Sequence, residues 1–246
     1  MPVQFENFEY HYWKGKKPYF APNELGKRIG NDIKRQVELV YQFDDFVYHL
    51  RPGGHVAALH KHRPHAHFAK ADIKLFFYSI SRSKVQRALK GIGIARPEHY
   101  AKWSCVKNPF GAPNYALPYG FIQAPILATL VLLESVVGAT LRSLHDNPGL
   151  AVSLYMDDIA LSSDDIDLLA NAHDLVLAAL DEANFELSPA KVRTPTDALD
   201  LFNCNLNSGS TVVMQERIDK FHGTPRSADS VDAFDRYRAS VAAGNL

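Results

Sequence analysis

Tyr155-Met156-Asp157-Asp158 stands between the apolar runs Ala151–Leu154 and Ile159–Leu161. Val152 and Leu154 before it, and Ile159 and Leu161 after it, alternate as strand residues do, which predicts a hairpin with the acidic pair at its tip. On a regular strand, neighbouring side chains point to opposite faces. A tight turn breaks that rule and can aim adjacent carboxylates toward one point. No Lys or Arg flanks them in the chain, so they repel each other unless something cationic intervenes. Hard oxygen ligands suit Mg²⁺, which usually binds through one or two carboxylates plus substrate phosphates. The alternative is a surface turn with two solvated aspartates, and the apolar strands on both sides weigh against it.

Half of a metal site needs another carboxylate. Upstream, Ala69-Lys70-Ala71-Asp72-Ile73-Lys74-Leu75-Phe76-Phe77-Tyr78-Ser79-Ile80 is an apolar, aromatic-rich segment holding one Asp, and it leads into a polar helix start at Ser81–Val85. A two-metal phosphoryl-transfer centre holds its ions about 3.5–4 Å apart and must ligate both. Asp72 on a neighbouring strand, with the hairpin pair, supplies such a clamp. Alone, Asp72 reads as readily as a capping or salt-bridged residue.

The stretch Asp72–Ile80 resembles the first palm motif of reverse transcriptases, especially the retron and group II intron-like enzymes. Leu117-Pro118-Tyr119-Gly120-Phe121-Ile122-Gln123-Ala124-Pro125 resembles the second, which commonly reads Leu-Pro-Gln-Gly followed by Ser-Pro. Tyr155–Asp158 is similar to the third, and Asn184–Lys191, ending in a lysine, to the fourth. Leu201–Leu206 matches the fifth, the primer-grip hairpin, less closely. These motifs follow family order. Tyr119 stands where the family usually has Gln, and Ala124 where it usually has Ser, a variant that resembles the bacterial reverse transcriptases of phage defence, including the abortive-infection type.

The resemblance implies an α+β fold: a right-hand polymerase palm with abbreviated fingers and a very short or absent thumb. It implies an N-terminal arm and fingers over 1–70, a palm over 71–206 with a fingers insertion at about 82–115, and a short C-terminal tail or vestigial thumb over 207–246. The order strand, helix, helix, hairpin, helix, strand fits an antiparallel sheet with helices on one face. Helices are expected at Leu25–His49, Lys84–Lys90, Glu98–Cys105, Pro125–Leu144 and Asp164–Asn184. Pro52-Gly53-Gly54 reads as a turn, Lys14–Pro22 as an irregular arm, and Ser227–Leu246 as a polar tail.

The 246 residues, 46% hydrophobic, suffice for a substantial core. Two cysteines, Cys105 and Cys204, give neither a disulfide framework nor a cysteine-rich zinc site. Met1–Asn7 lacks the basic and apolar regions of a signal peptide. The apolar stretch Ala124–Leu133 is too short to span a bilayer, so no membrane partner and a cytoplasmic location are expected. Net charge is zero but unevenly spread: residues 51–110 carry 12 Lys/Arg against 2 Asp/Glu, and residues 111–246 carry 8 against 18. A basic middle suits a phosphate-tracking surface. Arg82, Lys84, Arg87 and Lys90 are its candidates for nucleic-acid binding, against the alternative of a solvated helix face. His60, His62, His65 and His67, with His49 and His55, match no firm zinc spacing and are expected on a polar fingers surface near template or primer.

What the resemblance implies is a reverse transcriptase, an RNA-directed or template-free DNA polymerase acting in antiphage defence. Asp72, Asp157 and Asp158, with the Ile73 carbonyl, would hold two Mg²⁺ ions, with Mn²⁺ as a substitute. Phe77 falls at the family's steric gate, which selects deoxynucleotides; a core Phe is the alternative. Lys191 would protonate the departing pyrophosphate. Tyr119 and Gly120 would approach the incoming nucleotide, Gly120 because it lets backbone come close. The implied partners are an RNA template or structured non-coding RNA, a DNA product, deoxynucleotides, and a second copy or partner protein in place of a full thumb. A non-polymerising palm scaffold that binds RNA or a partner reverse transcriptase is the competing function. Tyr-Met-Asp-Asp and Phe77 disfavour an RNA-dependent RNA polymerase.

Overall fold

The structure, a computed structural model, describes residues 7–246; the residues before Asn7, where the absence of a signal peptide was read, lie outside the described residues. The chain begins with strands β1 (Phe8–Lys14) and β2 (Lys17–Pro22) and helices α1 (Glu24–Val40) and α2 (Gly54–His62). Next come β3 (His67–Asp72), α3 (Phe76–Ser79), α4 (Arg82–Gly91), α5 (Pro97–Ser104), β4 (Val106–Lys107) and β5 (Tyr115–Ala116). The middle holds α6 (Ala124–Leu133), α7 (Val136–His145), β6 (Ala151–Tyr155), β7 (Asp158–Ser163) and α8 (Ile166–Glu182). The chain closes with β8 (Arg193–Thr196), β9 (Ala198–Leu201), β10 (Cys204–Asn207), β11 (Ser210–Val213), α9 (Gln215–His222) and α10 (Ala228–Ala242).

These elements form two compact units, each built from three separated stretches. One comprises residues 7–43, 73–139 and 180–186. Its core includes Ile33, Phe76, Tyr78, Leu89 and Leu127, all buried. α6 is apolar on every side, as a fully buried helix must be. The β1–β2 hairpin replaces the irregular arm expected at Lys14–Pro22, turning at Gly15 with φ +62°. The single helix expected over Pro125–Leu144 is two. Ser135 Oγ donates to Leu132 O and accepts from Val137 N, ending α6 and starting α7, and a Cβ on Gly138 would stand 2.0 Å from Leu133 O.

The other unit comprises residues 44–72, 140–179 and 187–246. Its four-stranded antiparallel sheet runs β6-β7-β3-β8. β6 and β7 are buried almost throughout, which is why their sequences are apolar beyond simple alternation. The helix expected over Leu25–His49 stops at Val40. Beyond it, Phe46 O accepts from Leu154 N and Val47 bridges Leu154, so this chain is extended to satisfy the outer edge of β6. Gly54, expected in a turn, opens α2. A second sheet, β11-β10-β9, packs with α10 around Leu201, Cys204, Leu206, Phe234 and Val241. The stretch read as a polar tail therefore supplies a helix with a buried face. Among the described residues, no single helix is long and apolar enough to cross a membrane.

Candidate active site

The β6–β7 hairpin closes on the two-residue loop Met156-Asp157, between the paired Tyr155 and Asp158. Short hairpin loops that match strand twist need a positive φ at the first loop residue. Here Met156 supplies it at +55°, an uncommon conformation for a residue with a long side chain. Its N–H donates to His49 Nδ1 at 3.2 Å, and the Tyr155 ring packs against His49 and Phe202. Acceptance at Nδ1 requires that nitrogen to be unprotonated, and burial pushes the His49 imidazole down to about 4. His49 thus braces the turn. Its separation of 107 residues from Met156 left no local signal in the sequence.

Register places the third carboxylate. β3 pairs with β7 so that Asp72 stands opposite Asp158. Asp72 is 1% exposed; its Oδ2 accepts from Lys191 Nζ at 2.7 Å, and its Oδ1 is buried without a hydrogen-bond partner. Its backbone carbonyl accepts from Ser188 N at 2.8 Å, which anchors the loop carrying Lys191. Burial is the largest influence on Asp158 and raises its pKa; the charge on Asp72 raises it further, while Lys70 and Lys191 oppose. For Lys191, burial pulls downward, but the hydrogen bond and charge of Asp72, with the charges of Asp157 and Asp158, raise the pKa on balance. The three aspartates and Lys191 therefore share one electrostatic centre.

Lys70 completes it. Its Nζ forms an ion pair with Asp158 Oδ1 at 3.0 Å. Lys70 precedes Asp72 by two positions on one strand, so both side chains share a face; that spacing was a legible signal that the sequence reading left unused. Three carboxylates face two ammonium groups. Among the described residues, no three His, Cys, Asp or Glu side chains are gathered closely enough to enclose an ion. The donor chemistry nonetheless fits a hard divalent cation: carboxylates only, two of them, Asp72 and Asp158, with a buried Oδ1 that accepts no hydrogen bond. A cavity of about 650 Å³ opens beside them, lined by Asp157, Asp158, His55, Phe202, Arg217 and Tyr237.

The expected nucleotide-binding residues belong to the other unit. Ile73 is buried, and Phe77 meets the Tyr119 ring edge-on with centroids 4.8 Å apart. Gly120 has a reason different from the one expected. At φ +100°, a Cβ there would collide with Phe20 O, so the close backbone approach that Gly120 allows is to β2. Of the basic candidates, Arg82 lies over the Tyr115 ring at 4.4 Å. Lys84 sits over Phe185 at 4.3 Å and donates to Ala183 O. Arg87 and Lys90 are exposed.

The histidines form no polar fingers surface. His62 is fully buried, with Nδ1 2.8 Å from Ser162 Oγ and Nε2 2.7 Å from Ser153 Oγ, so it ties β6 to β7. His60 lies 3.0 Å from Val241 O, and His67 bonds Asp197.

The sequence profile described as "Reverse transcriptase (RNA-dependent DNA polymerase)" matches residues 14–218. No curated protein sequence matches the chain. Among solved structures, a telomerase from Candida albicans in complex with a fragment of telomeric RNA aligns with TM-score 0.52 and 11% identity, over 78% of this chain and 37% of that one. A foamy viral protease–reverse transcriptase aligns in complex with double-stranded DNA (TM-score 0.49, 16% identity, 91% of this chain and 34% of that) and with an RNA/DNA hybrid (0.47, 17%, 74% and 22%). The chain thus spans about a fifth to two fifths of the length of these solved chains.

Proposed function

The chain belongs to the reverse transcriptase family, and from that premise we propose that it is an RNA-directed or template-free DNA polymerase adding deoxynucleotides to a 3′-hydroxyl. One observation carries the proposal: the buried Asp72 Oδ1, lacking a donor, on a residue paired in register with Asp158. Asp72, Asp157 and Asp158 would hold two Mg²⁺ ions, or Mn²⁺ in their place. Bound there, such ions would make the attacking hydroxyl more acidic and offset charge on the leaving pyrophosphate. The 3′-oxygen bonds to the α-phosphorus as the bond to the bridging oxygen breaks. Lys191, held protonated by its acidic neighbours, would give its Nζ proton to the pyrophosphate. Lys70 would keep Asp158 charge-compensated while the site is empty. Phe77, fixed by Tyr119, would exclude a 2′-hydroxyl.

The finer assignments rest on the sequence. Tyr119 and Ala124 in the second motif support a role in antiphage defence of the abortive-infection type over a retron role. An RNA template or structured RNA, and a second copy or partner protein, complete the proposal. A non-polymerising scaffold finds support in the two lysines that already occupy the acid cluster. Primer extension with Mg²⁺ separates the two: wild type incorporates deoxynucleotides and Asp157→Asn loses about a hundred- to a thousandfold of that rate, comparable to losing one preorganised electrostatic group. Incorporation within tenfold of wild type by the variant defeats the acid assignment, and an inactive wild type favours the scaffold. Phage plating with both forms tests the defence role.

A further inference from the structure

The β1–β2 hairpin has a use that packing does not explain. Tyr10 and Tyr12 of β1 are 59% and 50% exposed, although they are large aromatics in a paired strand. The pairing Tyr12–Tyr19 and Lys14–Lys17 puts Tyr10, Tyr12, Lys14, Lys17 and Tyr19 on one face, with Lys16 at the adjoining turn. Glu9, the acidic residue of β1, falls at the bulge between Phe8 and Tyr10. Ring centroids step from Tyr10 to Tyr12 at 6.4 Å, from Tyr12 to Tyr19 at 5.7 Å, from Tyr19 to Tyr119 at 5.1 Å, and from Tyr119 to Phe77 at 4.8 Å. Lys17 Nζ lies 5.0 Å above the Tyr119 ring. The hairpin is held stiffly: Pro18 O accepts from Tyr78 OH at 2.7 Å, and Phe20 N donates to Tyr119 O at 2.9 Å. β2 is thereby anchored, and on β1 the Tyr10 and Tyr12 rings keep half or more of their surface exposed.

We propose that this face is a binding platform for single-stranded nucleic acid, whose bases stack on Tyr10 and Tyr12 and whose phosphates meet Lys14, Lys16 and Lys17. Rings beside three lysines match an anionic strand with flat, sequence-independent π-surfaces. An apolar protein segment would leave the lysines unmatched, and a duplex hides its base faces. The row of rings ends at Phe77, so the proposal deepens the polymerase reading by naming where the unpaired strand is held. It stands apart from the acid cluster in its test.

Full-length protein is titrated into fluorescent 12-nucleotide oligo-U, oligo-dT and a blunt duplex, with binding read by anisotropy. Tyr10→Ala/Tyr12→Ala should weaken single-strand binding tenfold or more, since each stacked base contributes a factor of about five or greater. Its thermal midpoint should fall by no more than about 4 °C, because both rings are half or more exposed. Lys14→Glu/Lys17→Glu should reduce the slope of log affinity against log salt by about 1.4. Asp157→Asn should bind the single strands as wild type does, so loss of polymerase activity and loss of the platform remain distinguishable. A folded Tyr10→Ala/Tyr12→Ala variant with wild-type affinity, or equal binding of the duplex, overturns the proposal. Conversion of a dimer to a monomer by that variant, with strand binding intact, would also overturn it and assign the face to a second copy.

Discussion

At the scale of single residues, the acid cluster is a balance of charges in a partly desolvated place. Lys70 and Asp158 are both largely withdrawn from water, and removing one partner of such a pair strands the other. Lys70→Met should lower stability by about 1–3 kcal/mol, between the exposed-pair and buried-pair ranges because both groups keep some solvent. If the cluster takes divalent cations, millimolar Mg²⁺ should restore part of that loss, and raise the thermal midpoint of the variant more than that of wild type. Equal Mg²⁺ shifts in both proteins would show that Lys70 and the cation do not share Asp158. Phe77 poses a different question, because its contact with Tyr119 accounts for packing, whereas the proposed polymerase role asks the same ring to select the sugar. Phe77→Val should raise ribonucleotide relative to deoxynucleotide incorporation. An unchanged ratio in a folded, active variant assigns the ring to packing alone.

Among elements, the β6–β7 hairpin carries Asp157 and Asp158, so the proposed chemistry depends on its rigidity. His62 bridges its two serines as a neutral imidazole, one ring nitrogen donating and the other accepting. Burial, aided by the charges of His65 and Lys61, holds it at about 3 against an ordinary 6.5. A folded pKa below the unfolded one means that the unfolded chain takes up the proton first. The stability tied to the neutral ring is therefore intact above pH 6.5 and drains away as pH falls from there toward 3. By pH 5 the loss on this account is about 2 kcal/mol. Urea unfolding at pH 7 and pH 5 should show a smaller pH effect in His62→Gln than in wild type. Some effect persists because His49 is depressed in the same range. Identical pH effects would mean that His62 is not the group being protonated. The helix break at Ser135 and the early end of α1 belong to this scale too. Each follows from where a backbone or hydroxyl group finds its hydrogen bond, which apolar periodicity does not encode.

For the whole molecule, the chain passes repeatedly between two units. Asp72 ends one stretch and Ile73 begins the next, so the first motif divides between them, and the fourth divides likewise at Glu186 and Leu187. Lys74 N donates to Glu186 O within one unit, while Ser188 N donates to Asp72 O within the other. The consecutive segments expected over 1–70, 71–206 and 207–246 describe the chain's order, whereas compactness follows these interleaved stretches. The basic middle changes meaning at the same scale. Arg82 and Lys84 rest on aromatic rings of their own unit, which leaves Arg87 and Lys90 as the better phosphate contacts. Arg87→Glu/Lys90→Glu should lower the salt slope of template binding by about 1.4–1.8, one increment per lost phosphate contact. Parallel lines for wild type and variant would mark this helix face as merely solvated.

Tyr155–Asp158, Asp72 and Lys191 were legible in the sequence because each lies in a short pattern whose residue types the chemistry dictates. The palm sheet was legible through the apolar residues on either side of Tyr155–Asp158, which burial selects. Lys70 was readable in principle from its spacing to Asp72. The sequence alone did not place His49 under the turn, seat His62 between two serines, set Gly120 against Phe20, or expose Tyr10 and Tyr12 beside lysines. These depend on strand register and on contacts between residues distant in the chain, and only the folded backbone brings such groups within bonding distance. Local pattern determined which acidic and basic side chains the chain carries in these motifs; tertiary packing decided which of them meet.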